Sequence, residues 1–390
     1  MFDARRSTEP LPRRSCSLAS GRTPRVSQDW FTHSAMPLYL DLSSLTLVWA
    51  ALTSLVVCLG IAFTTSWHGR LTLDTSIGVQ KFHTTPTPRV GGVGIVLALY
   101  IALMNLPGSV ASIVQPMLLA ATLAFVSGLA EDVTKRVSVR ERLLATVCSG
   151  VAAWWLSGVT LTRLDVWGLD YLLQWLPFSV LFTAFAAAGV ANAINIIDGF
   201  NGLAAGVILI ALLALGAVAH GAGDPDMVKV CLLLGAATIG FLLVNFPFGK
   251  IFLGDGGAYL LGFMLGWVAV LVSVRNPEVS PWASLLACAY PILEVLFSVA
   301  RRSRRRTNPG HPDRLHMHSL LKCRVTRKLL PNSPAVMKNS AVSPIVWGFS
   351  SVPAAAAVLW SDSTPILIAA FAACALLYAL VYRRLVRFRW

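Results

Sequence analysis

The chain runs to 390 residues, of which 56% are hydrophobic and only 13% charged, and its 32 Lys plus Arg against 18 Asp plus Glu leave a net charge of +14. So apolar a balance excludes an ordinary soluble globular protein and points to a polytopic membrane protein.

Apolar stretches close to the ~20 residues that cross ~30 Å of hydrocarbon recur in chain order at 44–66, 91–106, 110–130, 143–159, 177–197, 203–220, 228–246, 258–274, 282–300, 344–360 and 365–382. In lipid the backbone must satisfy its own hydrogen bonds, so each is predicted to be a helix. The fold class is therefore all-α, a polytopic integral membrane protein of about eleven transmembrane helices, the second and fourth being short for a full crossing. Seven cysteines, Cys16, Cys58, Cys148, Cys231, Cys288, Cys323 and Cys374, show neither CxxC nor metal-ligand spacing and read as small packing residues.

With eleven spans the connections alternate sides. One set carries Arg70, Lys81, Arg89, Lys135, Arg136, Arg140, Arg142, Lys250, the run 301–306 and the tail Arg383, Arg384, Arg387 and Arg389; the other carries only Arg163, Lys229 and Arg275. The positive-inside rule puts the basic set and the C-terminus in the cytoplasm. "RRSRRR" is then a topological anchor rather than a nucleic-acid patch. Residues before the first span break the pattern: they are rich in Pro, Ser and Arg, lack an apolar signal-peptide core, and fall on the outer side by parity. Translation is expected to begin at Met36.

Ionisable groups near a bilayer are costly and are most often retained for function. They gather on the cytoplasmic side: "KFHTTPTPRVGG" (81–92), "GLAEDVTKR" with Glu131 and Asp132, "NAINIIDGFNG" with Asn192, Asn195 and Asp198, "FPFGKIFLGDGG" with Lys250 and Asp255, and "HPDRLHMH" with Arg314, His316 and His318. Glu131, Asp132, Asp198 and Asp255 are hard oxygen ligands, suited to Mg²⁺ or Mn²⁺, and the neighbouring Arg, Lys and His side chains suit phosphoryl oxygens. The chemistry suggested is metal-assisted phosphoryl transfer at a membrane surface. Taken singly, each stretch has a plainer reading: Glu131–Asp132 as a solvated helix end, Asn192 and Asn195 as interhelical hydrogen bonders. Glu294, inside the ninth span, either pairs with Arg301 or Arg302 or faces the site.

The stretches "TPTPRVGG", "GLAEDV", "NAINIIDGFNGLAAG", "NFPFGKIFLGDGG" and "PDRLHMH" together resemble the polyprenyl-phosphate N-acetylhexosamine-1-phosphate transferases. That resemblance implies a multi-pass enzyme of the bacterial inner membrane with its active site at the cytoplasmic face. It would use Mg²⁺ to move a sugar 1-phosphate from a UDP-sugar to undecaprenyl phosphate, releasing UMP, as the initiating step of O-antigen, capsule or other cell-envelope polysaccharide synthesis. Glu131, Asp132, Asp198, His316 and His318 map to catalytic positions, with Asp132 the candidate base for the acceptor. Asp255, with Asp198, maps to the metal. Lys81, Arg89, Asn192, Asn195, Asn245, Lys250 and Arg314 form the substrate-binding set. Residues 37–390 make one membrane-embedded transferase domain, with 301–343 a cytoplasmic basic and His-bearing loop, after a basic extension at 1–36. Partners are the UDP-sugar, undecaprenyl phosphate and membrane lipid, without nucleic acid; a homodimer is left open.

Three positions depart from the family pattern: Glu131 stands where Asp is usual, Asn201 where many members carry a second Asp, and Ser319 where a further His often follows. The last two put an altered sugar pocket or a loosened loop in play. The Arg-x-His-x-His form favours the branch that starts polysaccharide repeats over the alternative, the muramoyl-pentapeptide branch of peptidoglycan synthesis. A transporter would place its acids near the bilayer midplane, often between inverted repeats, and a CDP-alcohol phosphotransferase would need several Asp in one run; neither pattern is present.

Overall fold

In the computed structural model, residues 42–74, 86–305 and 315–387 are described. Those from Asp41 onward form one compact unit. The expected extension at 1–36 lies outside the described residues, as do Lys81 and Arg314.

The chain enters through α1 (Leu42–Phe63) and the short α2 (Thr65–Thr72), then a two-residue ladder pairs β1 (Leu73–Asp74) antiparallel with β2 (Thr87–Pro88). Helices α3 (Gly92–Leu103), α4 (Gly108–Thr134) and α5 (Val139–Ser157) follow. Between the last two the chain turns sharply: Lys135 closes α4 in the left-handed conformation, and a reciprocal capping box between Ser138 and Glu141 opens α5. The short α6 (Leu169–Leu173) leads into α7 (Leu176–Ile197), α8 (Leu203–Gly221), α9 (Pro225–Asn245) and α10 (Gly254–Arg275). Next come α11 (Pro281–Ala287) and α12 (Ala289–Arg305), which meet at a 79° bend. Beyond the His loop lie α13 (Met317–Leu321), a π-helical turn at Lys322–Thr326, α14 (Arg327–Leu329), α15 (Ala335–Ser340), α16 (Val342–Leu359) and α17 (Thr364–Arg387).

Helix occupies all eleven predicted stretches. Among the described residues eight helices are long and apolar enough to cross a membrane, or nine if the bent α11–α12 pair is one span. The two short stretches account for the difference from eleven: α3 has 12 residues, and α5 carries charges in its first turns.

Helix α10 is the axis of the bundle. Almost every side chain from Gly254 to Ser273 is buried, including Tyr259, Phe263 and Trp267, and α10 packs on α7, α4, α3 and α8. Lipid tails offer no hydrophobic gain for helix association, so close backbone approach must supply the contact. Small residues permit it: Gly92 lies on Gly257, Gly128 on the backbone of Asp255, and Gly262 on Ala191. At 22 residues α10 spans ~33 Å, about the hydrocarbon thickness. Its far end is closed by Arg275, whose Nε and Nη2 donate to Asp224 at 2.7 and 2.9 Å. On that same far side Arg163 is tied to Asp165, Pro277 O and Val279 O.

Candidate active site

The near end of α10 collects the acids. Backbone pairing joins the stretch that carries Arg89 to the one that leads into Asp255: Phe252 N–H donates to Pro88 O, Gly91 N–H to Phe252 O and Gly92 N–H to Leu253 O, all within 2.8–3.0 Å. Arg89 is thereby held over the first turn of α10. Gly254, which opens that turn, has φ +76°, and a Cβ there would collide with Arg89 O and Asp132 Oδ2; only glycine fits.

The first N–H groups of a helix have no intrahelical acceptor, and here two carboxylates supply one. Asp132, from the last turn of α4, accepts Asp255 N–H at Oδ1 (3.0 Å) and Gly256 N–H at Oδ2 (2.8 Å). Asp198, just past the end of α7, accepts Gly254 N–H. Asp132 is fully buried, and Arg89 Nε lies 3.3 Å from its Oδ1. Both of its oxygens are therefore already engaged. Asp255 is paired with the guanidinium groups of Arg89 and Arg142, and Arg142 also lies 5.8 Å from the centre of the Tyr259 ring. Burial pushes the Asp198 carboxyl up to about 7; nearby Arg89 and the Gly254 N–H oppose the rise and the Asp132 charge adds to it.

The turn that carries Asp198 also carries the link to the His loop. Phe200 meets the His318 ring edge-on at 5.5 Å, and Lys322 Nζ lies 5.7 Å from the Phe200 ring centre. His316 and His318 stack at 5.3 Å, with both side chains buried. Burial lowers the His318 pKa to about 4, with Glu294 opposing and His316 reinforcing the shift, so this ring is neutral at pH 7. Glu294, from α12, accepts His316 Nδ1–H at 2.9 Å. It thus pairs with the His loop, one of the two outcomes open from the sequence.

Other sequence candidates take scaffolding positions. Asn245 is buried, with Oδ1 accepting Gly202 N–H (2.6 Å) and Nδ2 donating to Ile251 O (2.7 Å). Asn201 is buried too. Its Nδ2 donates to Pro247 O and Ser340 Oγ, its N–H to Asn339 Oδ1, and its carbonyl accepts from Ser343. Glu131 accepts Val137 N–H at 2.8 Å and braces the turn after α4. Lys250 is exposed on the loop between α9 and α10, and Asn192 and Asn195 are half-buried on the last two turns of α7. Arg142, read from the sequence only as a topological charge, enters the site. Its signal was local: the Ser138–Glu141 capping box fixes it on the first turn of α5.

Among the described residues no three His, Cys, Asp or Glu side chains form a closed metal cluster. Mg²⁺ needs none, since it binds through one or two carboxylates and completes its shell with substrate phosphate and water. Asp198 and Asp255 at one helix end offer that donor set, and Asp198 is a half-buried carboxylate whose charge a cation would compensate. The residues present fit Mg²⁺ or Mn²⁺.

The chain matches the model of the family described as glycosyl transferase family 4 over residues 114–273, which includes Asp132, Arg142, Asp198 and Asp255. It is 31% identical over 279 residues to a decaprenyl-phosphate N-acetylglucosaminephosphotransferase of Mycobacterium tuberculosis, covering 62% of this chain and 67% of the relative. It is also 27% identical over 247 residues to an undecaprenyl-phosphate alpha-N-acetylglucosaminyl 1-phosphate transferase of Yersinia pestis, with the same two coverages. A relative in Bacillus subtilis, named as a probable undecaprenyl-phosphate N-acetylglucosaminyl 1-phosphate transferase, is 27% identical over 248 residues. With its acids gathered at one end of a helical, membrane-crossing bundle, the chain is a multi-pass membrane enzyme belonging to glycosyl transferase family 4.

Proposed function

We propose that the enzyme transfers an N-acetylhexosamine 1-phosphate from a UDP-sugar to undecaprenyl or another polyprenyl phosphate, releasing UMP, at the cytoplasmic face of a bacterial inner membrane. The observation that carries this reading is the convergence of Asp132, Asp198 and Asp255 with Arg89 and Arg142 at the single helix end where α10 reaches the membrane boundary. A lipid phosphate must lie at that level. The named activities of the Mycobacterium tuberculosis, Yersinia pestis and Bacillus subtilis relatives supply the acceptor class.

In this reading an acceptor phosphate oxygen attacks the β-phosphorus of the UDP-sugar, and the bond from that phosphorus to the oxygen bridging to the α-phosphate breaks to release UMP. Asp198 and Asp255 would hold Mg²⁺ or Mn²⁺. When bound, the metal supplies charge neutralisation to phosphoryl oxygens. Asp132 sets the position of Asp255 by holding the first turn of α10. Arg89 and Arg142 provide planar donor forks matched to carboxylate and phosphate. His316 and His318 provide ring nitrogens to the diphosphate. The acceptor's second ionisation lies near pH 6, so at neutral pH it is largely a dianion. The chain has to align it rather than deprotonate it.

The test is transfer itself. Membranes carrying the enzyme, incubated with Mg²⁺, polyprenyl phosphate and radiolabelled UDP-N-acetylhexosamines, should yield a lipid-linked sugar phosphate and stoichiometric UMP. Product formed without UMP release, or no product from any UDP-sugar, would remove the reading.

A further inference from the structure

Glu294 is a carboxylate in the middle of the apolar run "YPILEVLF", 1% exposed, on the helix that follows the 79° bend. A buried carboxylate without partners would be strongly disfavoured, yet this one is surrounded by donors. Oε1 accepts His316 Nδ1–H at 2.9 Å and Met317 N–H at 3.0 Å. Oε2 accepts the Tyr290 hydroxyl at 3.3 Å and lies 3.8 Å from His318 Nδ1. The Tyr378 hydroxyl, from α17, also bonds the carboxylate. Arg301 holds the entry to the same loop, its Nη1 donating to Leu315 O and to Tyr382 OH, each at 2.9 Å.

The chemistry of these partners sets the state of His316. An ionised carboxylate only accepts hydrogen bonds, so His316 Nδ1 must carry a proton, and Nε2 is the one ring nitrogen left for a ligand. The bond of the other nitrogen decides which is free. With Nδ1–H committed to the carboxylate and the ring stacked on His318 at 5.3 Å, Nε2 is held in one orientation as the ring's remaining group for a ligand.

We propose that Glu294 is a positioning residue that fixes the orientation and tautomer of His316, so that Nε2 is presented to the nucleotide-sugar donor. The proposal rests on the sugar-phosphate transfer reading for the identity of that ligand. The geometry of the Glu294–His316 pair stands apart from it.

Two measurements on the full chain in detergent test it. In the first, protein carrying nitrogen-labelled histidine is observed by NMR, with His316→Gln used to assign the His316 ring signals. Glu294→Leu should replace the single Nδ1–H pattern of His316 by a mixture of tautomers, and Glu294→Asp should restore part of the wild-type pattern. Tyr290→Phe, which leaves the carboxylate in place, serves as a control and should keep the pattern. In the second, transfer is measured. Glu294→Leu should raise KM for the UDP-sugar about tenfold, leaving KM for polyprenyl phosphate unchanged, and Glu294→Asp should recover part of the loss. A His316 pattern unmoved by Glu294→Leu, or a loss equal in both substrates, would overturn the proposal. If the wild type transfers nothing while the His316 pattern still follows Glu294, the pairing stands and the substrate reading fails.

Discussion

Asp132 Oδ1 accepts the backbone N–H of Asp255 at 3.0 Å across 123 positions of sequence. One acid thus holds another in place by capping its helix, and the two should respond differently to substitution. Asp132→Asn replaces one acceptor by an amide donor facing Gly256 N–H, leaving a buried group unsatisfied at a cost of about 1–3 kcal/mol. It is expected to lower Tm and kcat together, by the same factor at every pH. Asp255→Asn leaves the cap intact but strips the charge from the carboxylate that pairs with Arg89 and Arg142, so Tm should fall as well, while kcat should fall on the order of a hundredfold or more. Thermal melts and pH-rate profiles of the two variants, which set the kcat loss against the Tm loss, separate these roles, and a defect in Asp132→Asn that shrinks as pH rises would return the base role to Asp132.

Asn201 stands where many relatives in the resemblance carry an acid, and its side-chain amide donates to both Pro247 O and Ser340 Oγ. Asn201→Asp removes both donors and buries a charge. The expected result is destabilisation of about 1–3 kcal/mol, read as a lower Tm, with the ranking of UDP-sugars unchanged. A changed sugar ranking at unchanged Tm would make the position part of a sugar pocket.

Within the basic run after α12, Arg301 is distinct because its guanidinium joins Leu315 O to the Tyr382 hydroxyl and lies 5.6 Å from the Tyr382 ring centre. Arg301→Lys keeps the topological charge but loses the fork. Activity should fall several-fold, whereas Arg304→Lys, at an exposed position, should behave as wild type.

The pKa of Asp198 carries a stability consequence. Burial raises it to about 7 from an ordinary value of 3.8, so in the metal-free protein the folded state keeps a proton that the unfolded chain has released between those values. Stability from this group is greatest below about pH 4, declines as pH rises toward 7, and stays low above it. Melts in EDTA should therefore show a pH-dependent component over that window that Asp198→Asn abolishes. Added Mg²⁺ should stabilise the wild type most at the upper end.

Orientation is tested by labelling. Cysteine at Lys250, exposed on the loop beside the acid cluster, should react with an impermeant maleimide only from the cytoplasm, and cysteine at Trp167, 99% exposed near the opposite end, only from outside. The reverse pattern would invert the proposed membrane orientation.

The helical membrane character, and which acids gather at the near end of α10, were legible in the chain because both reflect one cost. Apolar runs near twenty residues have few other stable settings than a membrane or a buried core, and carboxylates such as Asp198 and Asp255 at their ends are expensive enough to mark a site. Partner choice was not legible. Nothing local tells that Asn245 is consumed by Gly202 and Ile251, that Arg142 crosses to Asp255, or that Glu294 meets His316 rather than the arginines that follow it. These contacts join segments far apart in sequence, and they form only where small residues let α10 sit against α3, α4 and α7. The same packing decides whether an acid is free to bind or is used to cap. Asp132 and Asp198 look alike in sequence, and they differ because α10 places two N–H groups on the oxygens of one and a single N–H on the other.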